Sequence, residues 1–95
     1  MLTETAIVPT ALASRYLQQL CKHFAHKIAV RYDAASGDAQ FPWGRCTMTA
    51  TAELLTLRAE AADAEALARV KAVVDDHLIR FAWKEGLKPD WTPAG

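Results

Sequence analysis

Two successive runs of alternating residues in the middle of the chain limit the folds it can adopt. Residues 45–51 and residues 55–60 place apolar side chains at every second position, and a short turn at Ala52-Glu53 separates them. This period of two predicts neighbouring antiparallel strands with one buried face and one polar face. The inward side chains are Cys46, Met48, Ala50, Leu55, Leu57 and Ala59. A sheet with one apolar face needs a second layer to cover it.

Two segments with helical spacing supply that layer. We predict a helix from Ala11 to about Lys27 with Thr10 as its N-cap, and a second helix that starts after the N-cap Asp63 and stops at Gly86. The apolar stripes that define them are Ala13, Leu17, Leu20, Phe24 and Ile28, and Leu67, Val70, Val74, Leu78 and Phe81. Each helix therefore has one face to bury against the sheet.

Three further segments complete the predicted order. Residues 3–8 and 28–33 read as strands, and a third strand from Gln40 meets Pro42-Trp43-Gly44, where we expect a bulge or an edge break. The order β-α-β-β-β-α predicts an α+β fold, a two-layer sandwich with an antiparallel sheet and two helices on one face. We expect residues 1–95 to form a single domain, with the tail 87–95 as an extra edge strand or an extended wrap.

Composition excludes several classes of function. Eleven basic and eleven acidic side chains give a formal net charge of zero, which offers no general attraction to nucleic acid or to an anionic membrane. The N-terminus lacks the pattern of a signal peptide, and no apolar run is long enough to span a membrane. Two cysteines in such a chain are expected as reduced thiols, so we predict a cytoplasmic protein.

The segment CKHFAHK, residues 21–27, is the strongest candidate for a functional site. It belongs to an acid-free basic stretch, residues 11–31, and its cations complement the negative end of the helix dipole, as an ordinary solvated helix end would. His23 and His26 are three residues apart and could share a metal ion, with His77 as a further ligand. Arg15, Lys22, His26 and Lys27 could instead form an anion patch. Spacing alone does not choose among these three interpretations.

The tryptophans and remaining polar residues are less informative. Asp76 and Arg80 read as an outward ion pair, and neither serine nor cysteine sits in a pattern typical of a nucleophile. We expect the tail to fold over Trp83 and bury it, and Trp43 to lie at an interface.

The sequences RYLQQLCKH, from Arg15 to His23, and DHLIRFA, from Asp76 to Ala82, resemble a family of small bacterial proteins known as domain of unknown function 2218. The resemblance implies a compact α+β domain that occurs beside siderophore-interacting, flavin-dependent reductases, and it implies no activity or cofactor. The motif-matching polar residues are the candidates for a functional surface: Arg15, Tyr16, Lys22, His23, His26, Lys27, Asp76, His77 and Arg80.

Two functions follow as hypotheses. The first is a non-catalytic binding or accessory module, in iron or siderophore metabolism and with a reductase as a partner, that binds a metal or anion near His23, His26 and His77. The second is a structural interaction protein, a homodimer or docking domain that uses the open sheet face and the Trp43 region. Histidines brought together by adjacent helices would favour the first hypothesis.

Overall fold

The computed structural model describes residues 1–93 and shows an antiparallel sheet covered on one face by two helices. The strands are β1 (Leu2–Pro9), β2 (Ala29–Tyr32), β3 (Ser36–Phe41), β4 (Gly44–Ala50), β5 (Leu54–Ala61) and β6 (Trp91–Pro93). The helices are α1 (Ala13–Phe24) and α2 (Ala64–Phe81). The spatial order of the strands is β2-β3-β4-β5-β1-β6. The predicted α+β fold class is confirmed.

The core lies between the helices and the inward face of the sheet. Of the alternating residues of β4 and β5, all those predicted to point inward are buried except Ala50, which is partly buried. They meet the fully buried side chains Leu17 and Leu20 of α1 and Val70, Val74 and Leu78 of α2. The opposite sheet face carries threonines and arginines, among them Arg45, which pairs with Asp38 at 2.7 Å. One polar face and one apolar face explain why both helices pack on the same side.

The predicted element order is wrong at the third strand. That segment is two strands, β3 and β4, because Pro42 and Trp43 form a two-residue turn in which Phe41 pairs with Gly44. In the turn before β3, the Asp33 carboxylate accepts hydrogen bonds from the Ala35 and Ser36 amides at 2.8 Å. With β6, the order becomes β-α-β-β-β-β-α-β.

The predicted ends of α1 are also wrong. Leu12, not Thr10, is the N-cap, and the Thr10 hydroxyl instead accepts from the Leu12 amide and donates to the Glu85 carboxylate. The helix stops at Phe24, where the carbonyl accepts from the Lys27 and Ile28 amides and tightens the last turn. His26 and Lys27 therefore lie in a turn after the helix.

The ends of α2 follow the sequence more closely. The Asp63 side chain accepts a hydrogen bond from the Ala66 amide at 2.8 Å, so the predicted N-cap is confirmed. The helix ends at Phe81, and Gly86 closes the following turn with a positive φ of 66°. Among residues 1–93, neither helix is long and apolar enough to cross a membrane.

Candidate functional site

The two helices bring His23 and His77 together at the mouth of a cleft. His23 lies in the last turn of α1 and His77 near the end of α2, and their ring centroids are 4.5 Å apart. Phe24 lies against the His77 ring at 5.1 Å in an edge-to-face arrangement. Residues 54 positions apart in sequence thus form one imidazole pair.

A backbone contact fixes the orientation of the His77 ring. Its Nδ1 atom is 2.6 Å from the carbonyl oxygen of Val73, one turn earlier in α2. A carbonyl can only accept, so Nδ1 carries a proton and donates it. The other nitrogen, Nε2, holds a lone pair when the ring is neutral, and it is the atom left for a ligand.

An aromatic wall of Phe41 and Trp43 lines the same cleft as the histidines. The rings of Phe41 and Trp43 are stacked with centroids 5.0 Å apart and an interplanar angle of 12°. Phe24 packs edge-on against Phe41 at 5.2 Å, and the Arg69 guanidinium lies 4.7 Å from the centroid of Trp43. The Pro42-Trp43 turn positions this wall, so the residues that interrupt the predicted strand are the ones that shape the site.

The cleft has a volume of about 490 Å³, which suits a small molecule. It lies where the end of α1, the β3–β4 turn and α2 meet. Its lining residues are His23, Phe24, His26, Lys27, Ile28, Phe41, Pro42, Trp43, Val73 and His77. No aspartate or glutamate is among them.

The electrostatic environment of the cleft opposes protonation of His23 in the free protein. Partial burial lowers the pKa of His23, and the neighbouring His77, His26, Arg80 and Lys27 lower it further. A bound anion would reverse this balance.

Other predicted site residues lie elsewhere. Arg15 and Tyr16 line a separate depression of about 260 Å³ with Glu85. The Tyr16 hydroxyl donates to the Glu85 carboxylate, and this hydrogen bond, with burial, raises the pKa of Tyr16. The Thr10 hydroxyl donates to the same carboxylate at 3.1 Å. Through Glu85, these two hydrogen bonds connect the turn after α2 to α1 and the residues before it.

The remaining candidates surround the cleft without lining it. Lys22 is exposed on α1. Asp76 and Arg80 form the predicted exposed ion pair at 3.4 Å. The structure thus brings His23, His26, Lys27 and His77 into one cleft. The other five candidates do not line it: Arg15, Tyr16, Lys22, Asp76 and Arg80.

A metal centre has too few protein ligands here. Within residues 1–93, no group of three histidine, cysteine, aspartate or glutamate side chains is placed to hold an ion. Cys21 is buried in the core with its Sγ 3.9 Å from Met48 Sδ, on a different side of α1 from His23. An ion at the imidazole pair would need other ligands from a bound molecule.

Comparison with known proteins places the chain among bacterial proteins of unknown role. A family model described as "Uncharacterized protein conserved in bacteria (DUF2218)" matches residues 5–92. The chain belongs to this family.

A solved relative supports the DUF2218 fold. The NMR structure of PA4090 from Pseudomonas aeruginosa superposes on this chain with a TM-score of 0.83 and 35% sequence identity. The alignment covers 99% of this chain and 98% of PA4090. The search of curated proteins found no match. The resemblance from which the family was predicted is confirmed, and the family brings no activity with it.

The sequence did not identify all residues of this DUF2218 cleft. Phe24 is predicted only as a core residue, and Phe41 as a strand residue that could join Trp43 in an aromatic patch at an interface, yet both line the cleft. The Pro-Trp-Gly run was the available signal, since proline is favoured at the first central position of a tight turn, which leaves Trp43 as the second. The expectation for Trp83 is wrong, because the tail leaves it 70% exposed.

Proposed function

We propose that this protein is a non-catalytic binding module, one 95-residue domain, that holds a small molecule in the cleft between α1, α2 and the β3–β4 turn. The observation that carries the proposal is the His23–His77 pair, with ring centroids 4.5 Å apart, in the same cleft as the stacked Phe41 and Trp43 rings. Polar groups converging at one end of an apolar cleft are typical of ligand sites.

The arrangement suits binding better than catalysis. The His77 Nδ1 atom is bonded to a backbone carbonyl, and no carboxylate lines the cleft to serve as a second acid or base. The cysteines are buried away from the cleft. The side chains of the cleft can therefore orient and neutralise a ligand.

Fragment binding monitored by NMR tests the proposal. We expect ligands from a general library of small aromatic compounds to shift the amide signals of Phe24, Trp43, Val73 and His77. Trp43→Ala should weaken the binding of these ligands about fivefold, since loss of one stacked aromatic contact is worth about 1 kcal/mol. Trp83→Ala is the matched control, because that ring is exposed outside the cleft, and it should leave binding unchanged.

Shifts scattered over the surface, or hits unaffected by Trp43→Ala, would refute the cleft as the binding site. The amide spectrum of each variant reports whether the fold is intact.

We also propose that the module acts in iron or siderophore metabolism, with a reductase as partner and in the cytoplasm. The occurrence beside siderophore-interacting reductases that the resemblance implies is the reason for the metabolic setting, and two free, buried thiols are consistent with the cytoplasmic location. Ferric chelates added to the same NMR titration test the setting. Elemental analysis of the untagged protein tests for a retained metal. Stoichiometric zinc or iron that is lost in a His23→Ala/His77→Ala variant would show that the cleft is a metal site and not a site for a small molecule.

A structural interaction protein remains the second candidate. The observation in its favour is Trp83, which is 70% exposed and lines the Arg15–Glu85 depression together with Leu12. Light scattering at high protein concentration separates the two candidates. A dimer that Trp83→Ala dissociates would favour the interaction role, whereas a monomer with an intact cleft response would favour binding.

A further inference from the structure

Positive charge at the mouth of the cleft is not balanced by any carboxylate that lines it. His26 and Lys27 stand beside the imidazole pair, and the lining contains no acidic residue. Asp76 of α2 pairs with Arg80 at 3.4 Å and lines the shallow neighbouring surface with Trp43 and Arg69. A ligand with negative charge would therefore meet cations and imidazoles before any acid.

The end of α1 does little to repel such a ligand. A helix C-terminus disfavours anions through its unpaired carbonyl groups. Here the Cys21 carbonyl accepts from the Ala25 amide, the His23 carbonyl accepts from His26, and the Phe24 carbonyl accepts from Lys27 and Ile28. These oxygens are already bonded in the turn, which leaves the side chains to set the charge at the mouth.

The apolar interior of the cleft favours a ligand with a flat apolar part. Its walls are the Phe41–Trp43 stack, the edge of Phe24, and the aliphatic side chains of Ile28 and Val73. Aromatic faces prefer flat partners in offset or edge-to-face contact. Shape and charge thus describe one molecule with an aromatic ring at one end and an anionic group at the other.

We infer that the cleft binds a flat aromatic carboxylate, with its ring on the Phe41–Trp43 wall and its carboxylate on the His23–His77 pair. This inference rests on the proposed binding function and specifies the ligand class of the same site.

The hydrogen bond of His77 determines which nitrogen of its ring can meet a carboxylate. Because Nδ1 donates to the Val73 carbonyl, the neutral ring presents a lone pair at Nε2, which repels a carboxylate. A protonated imidazole donates from that nitrogen and forms a charge-assisted hydrogen bond. The groups that face the pair are His26 and Lys27 after α1, Arg80 on α2, and the uncharged rings of Phe24 and Phe81.

The sign of the pH dependence follows. In the free protein the pKa of His23 lies below its ordinary value, through burial and then its cationic neighbours, and a carboxylate raises it again. Affinity should therefore increase as the pH falls through the histidine range, as long as the ligand stays ionised.

Three ligands of one shape test the inference by NMR titration: 2-naphthoate, 2-naphthamide and 2-naphthylmethylamine. At about pH 5.5 we expect 2-naphthoate to bind about tenfold more tightly than the amide, and the amine to bind most weakly. At about pH 8 the difference between naphthoate and the amide should shrink to about twofold.

Variants assign the preference to the imidazoles. His77→Phe keeps an aromatic ring beside Phe24 but removes both nitrogens, so it should abolish the preference for naphthoate while the amide still binds. Lys22→Gln is the control, because it removes an exposed cation of α1 that does not line the cleft, and it should leave the preference intact.

The outcomes separate this inference from the proposed function. Equal binding of the three ligands at the cleft, or a preference that His77→Phe does not change, would overturn the inference and leave a binding module of another specificity. Binding of none of the three overturns the inference as well, and the fragment library then decides whether the cleft binds anything.

Discussion

At the scale of single residues, the thiols and the imidazoles of the His23–His77 pair differ in how accessible they are. The two thiols are free and have no exposed surface, and burial raises the pKa of Cys21 to about 11 and of Cys46 to about 12. Since the thiolate is the reactive form, a buried thiol of high pKa is inert. His23 and His77, by contrast, lie at a surface that a ligand can reach.

The cysteines provide a residue-scale prediction. At about pH 8 we expect neither thiol to react with a disulfide reagent such as DTNB over minutes in the folded protein, because almost no thiolate is present and the reagent cannot reach it. Both thiols should react at once in guanidinium chloride, and the released chromophore measures both rates. Rapid labelling of one thiol in the folded state would contradict the burial described for it.

At the scale of elements, the β3–β4 hairpin and α2 are in close contact at Gly44. A methyl group there would lie 2.6 Å from the Glu60 carbonyl oxygen and 2.6 Å from a Val70 methyl carbon. The Glu60 oxygen is backbone in β5 and cannot move without disturbing the sheet. Glycine at this position therefore lets the hairpin that carries Trp43 lie under α2.

Replacement of Gly44 provides the element-scale prediction. Gly44→Ala should lower the free energy of unfolding by about 1–3 kcal/mol, the usual cost of overpacking. Urea denaturation followed by circular dichroism measures the change. Gly86→Ala is the control, because a methyl group meets nothing within 4 Å there and only the positive φ opposes it, at about 1 kcal/mol. A smaller cost at Gly44 than at Gly86 would show that the hairpin can shift.

The elements also show which features the sequence could predict. Alternation in β4 and β5 and the helical stripes report burial directly, and they gave the fold class and the inward residues. Pro42-Trp43-Gly44 was misassigned because proline and glycine suit a bulge and a tight turn equally well. Helical projection gives the direction of His23 and of His77 on each helix, but no local pattern fixes how two helices lie against each other.

At the scale of the whole molecule, the last strand, β6, connects the tail to both the sheet and the helix layer. Trp91 pairs with Ala6 at the edge of the sheet, and its indole N–H donates to the Asp75 carboxylate of α2 at 2.7 Å. Burial raises the pKa of Asp75, and the hydrogen bond from Trp91 opposes that rise. One side chain thus joins the tail, the sheet edge and the second helix.

Removal of the indole donor provides the whole-molecule prediction. Trp91→Phe should lower the free energy of unfolding at neutral pH by about 1–2 kcal/mol, since it leaves a partly buried carboxylate without its partner. A carboxyl whose folded pKa is raised favours the folded state more as the pH falls through that pKa. The loss should therefore shrink in acid, which thermal unfolding at several pH values measures. A loss that is the same at every pH would assign the effect to packing of the ring alone.

The two-residue turn that carries Trp43 has a kinetic consequence. Its flanking residues, Phe41 and Gly44, pair directly, so the aromatic wall is built before any ligand arrives. Binding in the cleft then requires no opening of a loop and no ordering of a segment, and these are the conformational steps that slow association. We expect on-rates close to those of simple diffusional encounter for every ligand that fits, so that the residence time alone distinguishes a good ligand from a poor one.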